Sequence, residues 1–290
     1  MSAPNAHLDK ITTPAGQATR ADISVMQLVR NVTTNIGLCF RSLTRTRRSA
    51  VLPGSGTIVA VSIALALAAA ASMFLFDAVA VEWARNEPHW FRSAFEKITD
   101  LGLSGWFLFP CGFILLFLAA VSSPQLTSSA QGVFAALAAR FGFVFFAVAL
   151  PGLFVSIAKH LIGRARPYVG GHEDPFAYMP LIWRPAFASM PSGHATTAVA
   201  AAIAIGTIWP RTRIVMWLYA VTIMFSRVAV LAHHPSDVLA GALVALLGTH
   251  WLRRWFATRG LVFRSSDMRA NPGPSLSRIK AALRQTLAAR

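Results

Sequence analysis

Six long apolar stretches constrain this chain more than any other feature. A helix needs about 20 apolar residues to cross a bilayer. Stretches of that kind run from Thr57 to Val81, Leu101 to Val121, Val133 to Ile162, Pro191 to Trp209, Ile214 to Ala232 and Pro235 to Leu252. The third contains Pro151, a site for a kink. The sixth is short of purely apolar residues because its first turn is polar. Lipid offers the backbone no hydrogen-bond partner, so each stretch must satisfy its own N–H and C=O groups as a helix. The expected fold class is all-α: a polytopic membrane protein with six transmembrane helices. Only 13% of the residues are charged, about half the share of a soluble domain, which agrees with this.

The formal net charge is +16. In a soluble chain that surplus would suggest nucleic acid. Here the basic residues lie mostly outside the apolar stretches, and no basic stripe is interleaved with aromatics. Membrane topology accounts for them, and no nucleic-acid partner is expected.

Three regions follow. Residues 1–55 hold a polar tail and then an amphipathic stretch from Asp22 to Thr46. Its apolar side is Val25, Leu28, Val29, Val32, Ile36, Phe40 and Leu43. That spacing predicts a helix lying on the membrane surface. Residues 56–255 hold the six spans. Residues 256–290 form a basic tail with a second amphipathic stretch, Leu276, Ile279, Leu283 and Leu287 on one face, Arg278, Lys280 and Arg284 on the other. The basic ends predict contact with anionic lipids of the inner leaflet. The first 50 residues contain no signal-peptide core, so the first span is expected to serve as an uncleaved anchor. Cys39 and Cys111 lack metal-ligand spacing and are not expected to pair. There is no internal repeat.

Orientation comes from Lys and Arg near the span ends. Arg41, Arg45, Arg47 and Arg48 precede the first span, Arg211 and Arg213 lie between the fourth and fifth, and Arg253, Arg254, Arg259 and Arg264 follow the sixth. With six spans all three groups fall on one side, which is expected to be cytoplasmic. Both termini are then inside, and the connections after spans one, three and five are outside, as in a bacterial inner membrane protein with a periplasmic or extracellular site.

Three polar clusters lie at that outer end. The first is Lys159, Arg164, Arg166 and Pro167. Lys159 and Arg166 are seven residues apart and share a face if the helix continues that far, since each residue turns it by about 100°. Two converging cations suit a phosphate. They equally suit headgroup anchors. The second is Pro191-Ser192-Gly193-His194. A helix starting there leaves backbone N–H groups open to an anion, with the Ser192 hydroxyl and the proton-transferring His194 imidazole added. An ordinary helix cap is the plainer reading. The third is Ser226-Arg227, then His233 and Asp237. A charge inside an apolar run is costly and marks function by default. His233 and Asp237, four apart, are neighbours if helical; Pro235 between them favours a bend, which leaves this open. A carboxylate on one imidazole nitrogen frees the other as nucleophile or base. A histidine at the headgroups beside a capping aspartate is the alternative.

Together the clusters resemble the type-2 phosphatidic acid phosphatase (PAP2) superfamily. Its pattern is Lys, six residues, Arg-Pro; then Pro-Ser-Gly-His; then Ser-Arg, five residues, His, three residues, Asp. This chain has Lys159…Arg166-Pro167, Pro191-Ser192-Gly193-His194 and Ser226-Arg227…His233…Asp237, matching at every fixed position. The resemblance implies a metal-independent lipid phosphate phosphatase without cofactor. His233 would form a phosphohistidine, Asp237 would orient it, and His194 would protonate the leaving oxygen and then activate water. Lys159, Arg166, Arg227, Ser192 and the Gly193 N–H would hold the phosphate oxygens. Undecaprenyl diphosphate, phosphatidylglycerophosphate, phosphatidate and lipid A phosphate all fit such a site. Transfer to another lipid is a second reading. A non-catalytic lipid-phosphate binder or transporter is a third, which the two histidines and Asp237 argue against.

Other polar and aromatic residues have plainer readings. His234 is read as a supporting or surface group, His160 as an interface residue, Arg140 as a snorkelling cation, and Asp77 and Asp100 as helix-end residues. The 168–190 connection, with Phe176, Tyr178, Trp183 and Phe187, is read as a lid or as an interfacial aromatic belt. Oligomeric state is not encoded in any of these features.

Overall fold

The computed structural model describes residues 26, 29–35, 37, 54–123, 125–169 and 174–288. Among the described residues every extended element is helical. The helices are α1 (Gly56–Leu75), α2 (Asp77–Asn86), α3 (His89–Thr99), α4 (Gly105–Val121), α5 (Ser128–Ile162), α6 (Gly193–Ile208), α7 (Arg213–Ala229), α8 (Pro235–Thr258) and α9 (Leu276–Ala288).

Among the described residues four stretches are long and apolar enough to cross a membrane: Gly56–Leu75, His89–Val121, Ser128–Ile162 and Pro210–Ala229. α6 is apolar but has 16 residues. α8 has 24 residues and carries Asp237, His250, Arg253 and Arg254. The 35 residues of α5 give about 52 Å at 1.5 Å per residue, well beyond a hydrocarbon core of about 30 Å. α5 runs on through Pro151 as one helix.

α6 is the centre, packed against α5, α7 and α8. Its residues are small, and Ala195, Ala198, Ala200, Ala201 and Ala204 are fully buried. In lipid the hydrophobic effect does not drive helices together, so close packing of small side chains must. Two glycines of α8 let the backbones meet. A Cβ on Gly241 would lie 2.5 Å from the Ser192 carbonyl oxygen, and one on Gly248 would lie 2.7 Å from Pro151 Cγ. α1 lies against α8, with its lower end joined to it by Arg254, which donates to Ser55 Oγ at 3.0 Å.

Several expectations are corrected. The first apolar stretch does not continue to Val81. The helix breaks at Phe76, and Asp77 opens a separate α2. The charged connection that follows forms the α2–α3 hairpin, because Phe91, Ala94, Phe95 and Ile98 recur at helical spacing. Arg140 does not snorkel. It is buried and donates to the carbonyls of Ala136, Asn271 and Pro272, at 2.7, 2.9 and 2.9 Å. It thereby clamps the chain after α8 against α5. α9 then packs on the α4–α5 end through Ile279, Ala282 and Leu283, while Leu276 and Leu287 are exposed.

The stretch from Asp22 to Thr46 falls largely outside the described residues. Within it, 29–35 are helical. Asn35 donates to the carbonyls of Ala119 and Ser122 at 2.9 and 2.7 Å, filling acceptors left open where α4 ends.

Candidate active site

The site forms where α5 and α7 end and α6 and α8 begin. α5 stops because Gly163 takes a left-handed conformation, φ +66°. The chain then pairs back on itself. Met179 N–H donates to the Gly163 carbonyl at 2.7 Å, and Ala165 N–H to the Ala177 carbonyl at 2.9 Å. The condition for Lys159 and Arg166 to share a helix face is not met, because the helix ends at Ile162 and Arg166 lies beyond it. Even so, the turn brings Arg166 within electrostatic reach of both Lys159 and Arg227.

α6 begins at Gly193 with Ser192 as its N-cap, and the Ser192 side chain makes no capping bond. The first-turn N–H groups of a helix have no partner within it. Ser192 N–H donates to the Asp237 carbonyl at 2.9 Å, tying this end to α8. A Cβ on Gly193 would lie 3.5 Å from Lys159 Nζ, and one on Gly102 would lie 3.0 Å from His194 Cδ2. So the α5 amine sits over the opening of α6, and the His194 ring lies against the turn after α3.

Arg227 is buried in the last turn of α7, where its Nη1 donates to Thr99 Oγ1 at 2.6 Å. His233 does not lie on a helix with Asp237, as its spacing allowed. It belongs to the tight connection between α7 and α8, in which Leu231 has φ 56° and His233 N–H donates to the Arg227 carbonyl at 3.2 Å. His233 Nδ1 is 3.8 Å from Asp237 Oδ2, which is beyond hydrogen-bond range. His234 is buried, not superficial. It caps α8, its N–H donating to Asp237 Oδ2 at 2.8 Å with its Nδ1 3.3 Å away.

Four buried polar atoms at this place have no hydrogen-bond partner among the described residues: Ser192 Oγ, Arg166 Nε, Arg227 Nε and His233 Nδ1. Buried polar groups are normally paired, so the unpaired Ser192, Arg166 and Arg227 atoms mark a candidate anion site, while His233 Nδ1 faces Asp237 Oδ2. Burial pushes the His233 imidazole down to about 4; the Asp237 carboxylate opposes this, while Arg227 and Arg166 add to it. His233 is therefore neutral, with a free nitrogen lone pair, at pH 7.

Beneath lies a network not anticipated from the sequence. Arg164, fully buried, donates to Asp77 Oδ2 at 2.8 Å, Asp237 Oδ1 at 2.6 Å, Ser236 Oγ at 2.6 Å and the Pro175 carbonyl at 2.9 Å. Burial works against its charge, and the two carboxylates overcome that effect. Ser189 Oγ donates to Asp237 Oδ2 at 2.5 Å. Asp77 was readable as a charge within an apolar run. Arg164 gave no separate signal beside Arg166.

Among the described residues the Thr99 hydroxyl is the side-chain hydrogen-bond partner of the Arg227 head. Thr99→Val is expected to lower kcat/KM about tenfold and to cost about 1–3 kcal/mol of stability, because a buried Arg227 donor loses its partner, measured by phosphate release and thermal unfolding. A wild-type kcat/KM would mean that Arg227 is held in some other way.

The fold and site define a class: a helical membrane protein that gathers fixed cations and two imidazoles at one end of its bundle. A family model described as the PAP2 superfamily matches residues 140–261. The lipid A 1-phosphatase of Rhizobium johnstonii is 34% identical over 194 residues, 66% of this chain and 78% of that protein. Its counterpart in Rhizobium etli is 36% identical over 171 residues, covering 58% and 72%. The crystal structure of a transmembrane PAP2-type phosphatidylglycerolphosphate phosphatase from Bacillus subtilis aligns over 68% of this chain and 92% of that one, with 21% identity and a TM-score of 0.46. The chain belongs to the PAP2 superfamily. It is an integral membrane lipid phosphate phosphatase.

Proposed function

We propose that this protein removes a phosphate from the sugar headgroup of lipid A at the outer leaflet of a bacterial inner membrane, through a phosphohistidine on His233. The observation that carries the reaction is the neutral, buried His233 beside Asp237, facing the Arg227 and Arg166 cations. The substrate rests on the two lipid A 1-phosphatases that match most of the chain.

In this reading Nδ1 of His233 faces Asp237, so Nε2 attacks phosphorus. The bond to the leaving oxygen breaks, and that oxygen takes a proton from His194. Water then attacks the phosphohistidine, His194 takes the proton of the water, and inorganic phosphate leaves. Lys159, Arg166 and Arg227 hold the phosphoryl oxygens with Ser192 Oγ and the Gly193 N–H. Phosphoryl transfer depends chiefly on positioning and on positive charge around those oxygens, which three fixed side-chain cations supply.

Six crossings are supported by the alternation of α1, α4, α5, α6, α7 and α8 between the site end and the opposite end. Arg211, Arg213, Arg253, Arg254, Arg259 and Arg264 belong to the opposite end, which the positive-inside bias makes cytoplasmic. The half-buried Lys159, Arg166 and His194 form the open side of the site, and the exposed Tyr168, Leu181 and Trp183 suit the headgroup level beside it.

The test is phosphate release by the detergent-solubilised protein, with EDTA present, from lipid A bearing a 1-phosphate, undecaprenyl diphosphate, phosphatidylglycerophosphate and phosphatidate. The highest kcat/KM is expected on lipid A, with an acid-labile, alkali-stable phosphoprotein trapped on quenching. A higher kcat/KM on another lipid would replace the substrate. Absence of the adduct during rapid turnover would remove the covalent mechanism. Label passing to a lipid acceptor without free phosphate would make the protein a phosphotransferase.

A further inference from the structure

Asp77 comes from the break between α1 and α2, 160 residues before Asp237 in the chain, yet the two share one guanidinium. Arg164 Nη2 is spent on Asp77 and Nη1 on Asp237 and Ser236. Asp77 is fully buried and saturated. It also accepts from Ser72 Oγ at 3.1 Å, from Ser236 N–H at 3.0 Å and from Ser236 Oγ. A buried charged cluster of this kind is seldom a net gain in stability over apolar packing. Its geometry does, however, control Asp237.

An Arg guanidinium prefers to grip a carboxylate with two parallel N–H donors. Here Asp77 prevents that. Asp237 receives a single Arg164 nitrogen on Oδ1, and its Oδ2 is left to Ser189, His234 and the approach of His233 Nδ1 at 3.8 Å. A fully gripped Asp237 would be a weaker acceptor for the imidazole.

We propose that Asp77 is a positioning residue for phosphoryl transfer: it holds one half of the Arg164 head so that Asp237 keeps an oxygen, and enough charge, to hydrogen-bond His233 as phosphorus is attacked. This rests on the reading of His233 as nucleophile. Asp77 touches neither His233 nor the phosphate and acts through Arg164 and Asp237. The charged and titratable groups facing His233 are Arg227 on α7, Arg166 after α5, His194 on α6, and His234 and Asp237 at the start of α8. None of these is altered by the variants below.

The test is the pH dependence of kcat/KM for Asp77→Asn, Arg164→Gln and the double variant, each first checked for folding by thermal unfolding. In Asp77→Asn, Arg164 turns wholly to Asp237. His233 becomes harder to protonate, and the acid limb moves to lower pH by about half a unit, with kcat reduced and KM little changed. In Arg164→Gln, Asp237 is relieved of its counter-ion, His233 is easier to protonate, and the limb moves to higher pH by about the same amount. The double variant keeps the limb of Arg164→Gln, because Asp77 acts through Arg164 and has no lever on Asp237 without it. Opposite shifts in the single variants, with the Asp77 effect lost once Arg164 is gone, are not produced by structural damage. Folded variants whose limbs do not move, or move in one direction together, would overturn the proposal. So would failure of both single variants to fold, which would make the network structural alone. Loss of the nucleophile assignment would be visible separately, as activity surviving in His233→Ala.

Discussion

His233→Ala is expected to lower kcat for phosphate release by at least about 10⁴-fold, leaving little beyond what binding and charge alone provide. The protein should still fold. The imidazole Nδ1 has no hydrogen-bond partner among the described residues, so truncation removes a buried polar atom rather than breaking a bond. The cavity left is small, and the change in unfolding temperature should be a few degrees. Parallel measurement of kcat, thermal unfolding and binding of vanadate as a phosphate mimic separates the outcomes, because Lys159, Arg166 and Arg227 remain to bind the anion. A variant within tenfold of the parent in kcat would end the assignment. The wild-type pH profile adds a check of sign. His233 stays neutral until the pH approaches about 4, so this group removes activity only on the acid side, and any alkaline loss must arise elsewhere.

Gly163→Ala is expected to be the most damaging single methyl that can be added near the site. The added Cβ would lie 1.8 Å from the Met179 carbonyl oxygen and 2.8 Å from Pro180 Cα. Both obstacles are backbone, so no rotamer change relieves them. A side chain at φ +66° adds its own strain. The loss should be about 3 kcal/mol or more in stability. It should also carry a drop of about 100-fold or more in kcat/KM, because the 163–166 turn delivers both Arg164 and Arg166 and a small misplacement of such groups is costly. Asn tolerates left-handed backbone but keeps the colliding Cβ, so Gly163→Asn should fare no better. Recovery with Asn would show that the dihedral matters and the collision does not. Thermal unfolding and phosphate release in detergent measure both effects.

The contrast between these two residues shows what was legible. Lys159, Arg166, Ser192, Gly193, His194, Arg227, His233 and Asp237 could be picked out because their chemistry is rare within apolar sequence and repeats a known spacing. The structure brings them to one end of the bundle. Their local geometry was less legible. Gly163 carried a helix-stop signal, and the seven-residue spacing of Lys159 and Arg166 could not say whether a helix or a turn brings them together. The α3 helix was hidden in a connection judged by its mixed charge, although Phe91, Phe95 and Ile98 already had helical spacing. Arg164, Ser189, Ser236 and Asp77 form a network between residues as far apart as 72 and 237, and no local pattern encodes that meeting. Only the cost of placing Asp77 inside an apolar run hinted at it.

The alanine-lined α6 has a consequence for how new specificities arise on this scaffold. Its first turn lies at the site, and the close approach of Gly241 to the Ser192 carbonyl, Thr196 and Ala195 leaves no room there for a larger side chain. That turn tolerates almost no variation. The exposed side chains of the α2–α3 hairpin and of the 174–190 segment, Trp90, Phe176 and Trp183 among them, have no such limits. A change of headgroup preference therefore has open ground at the rim, where drift is cheap, while the machinery that breaks the phosphate bond stays locked in its frame.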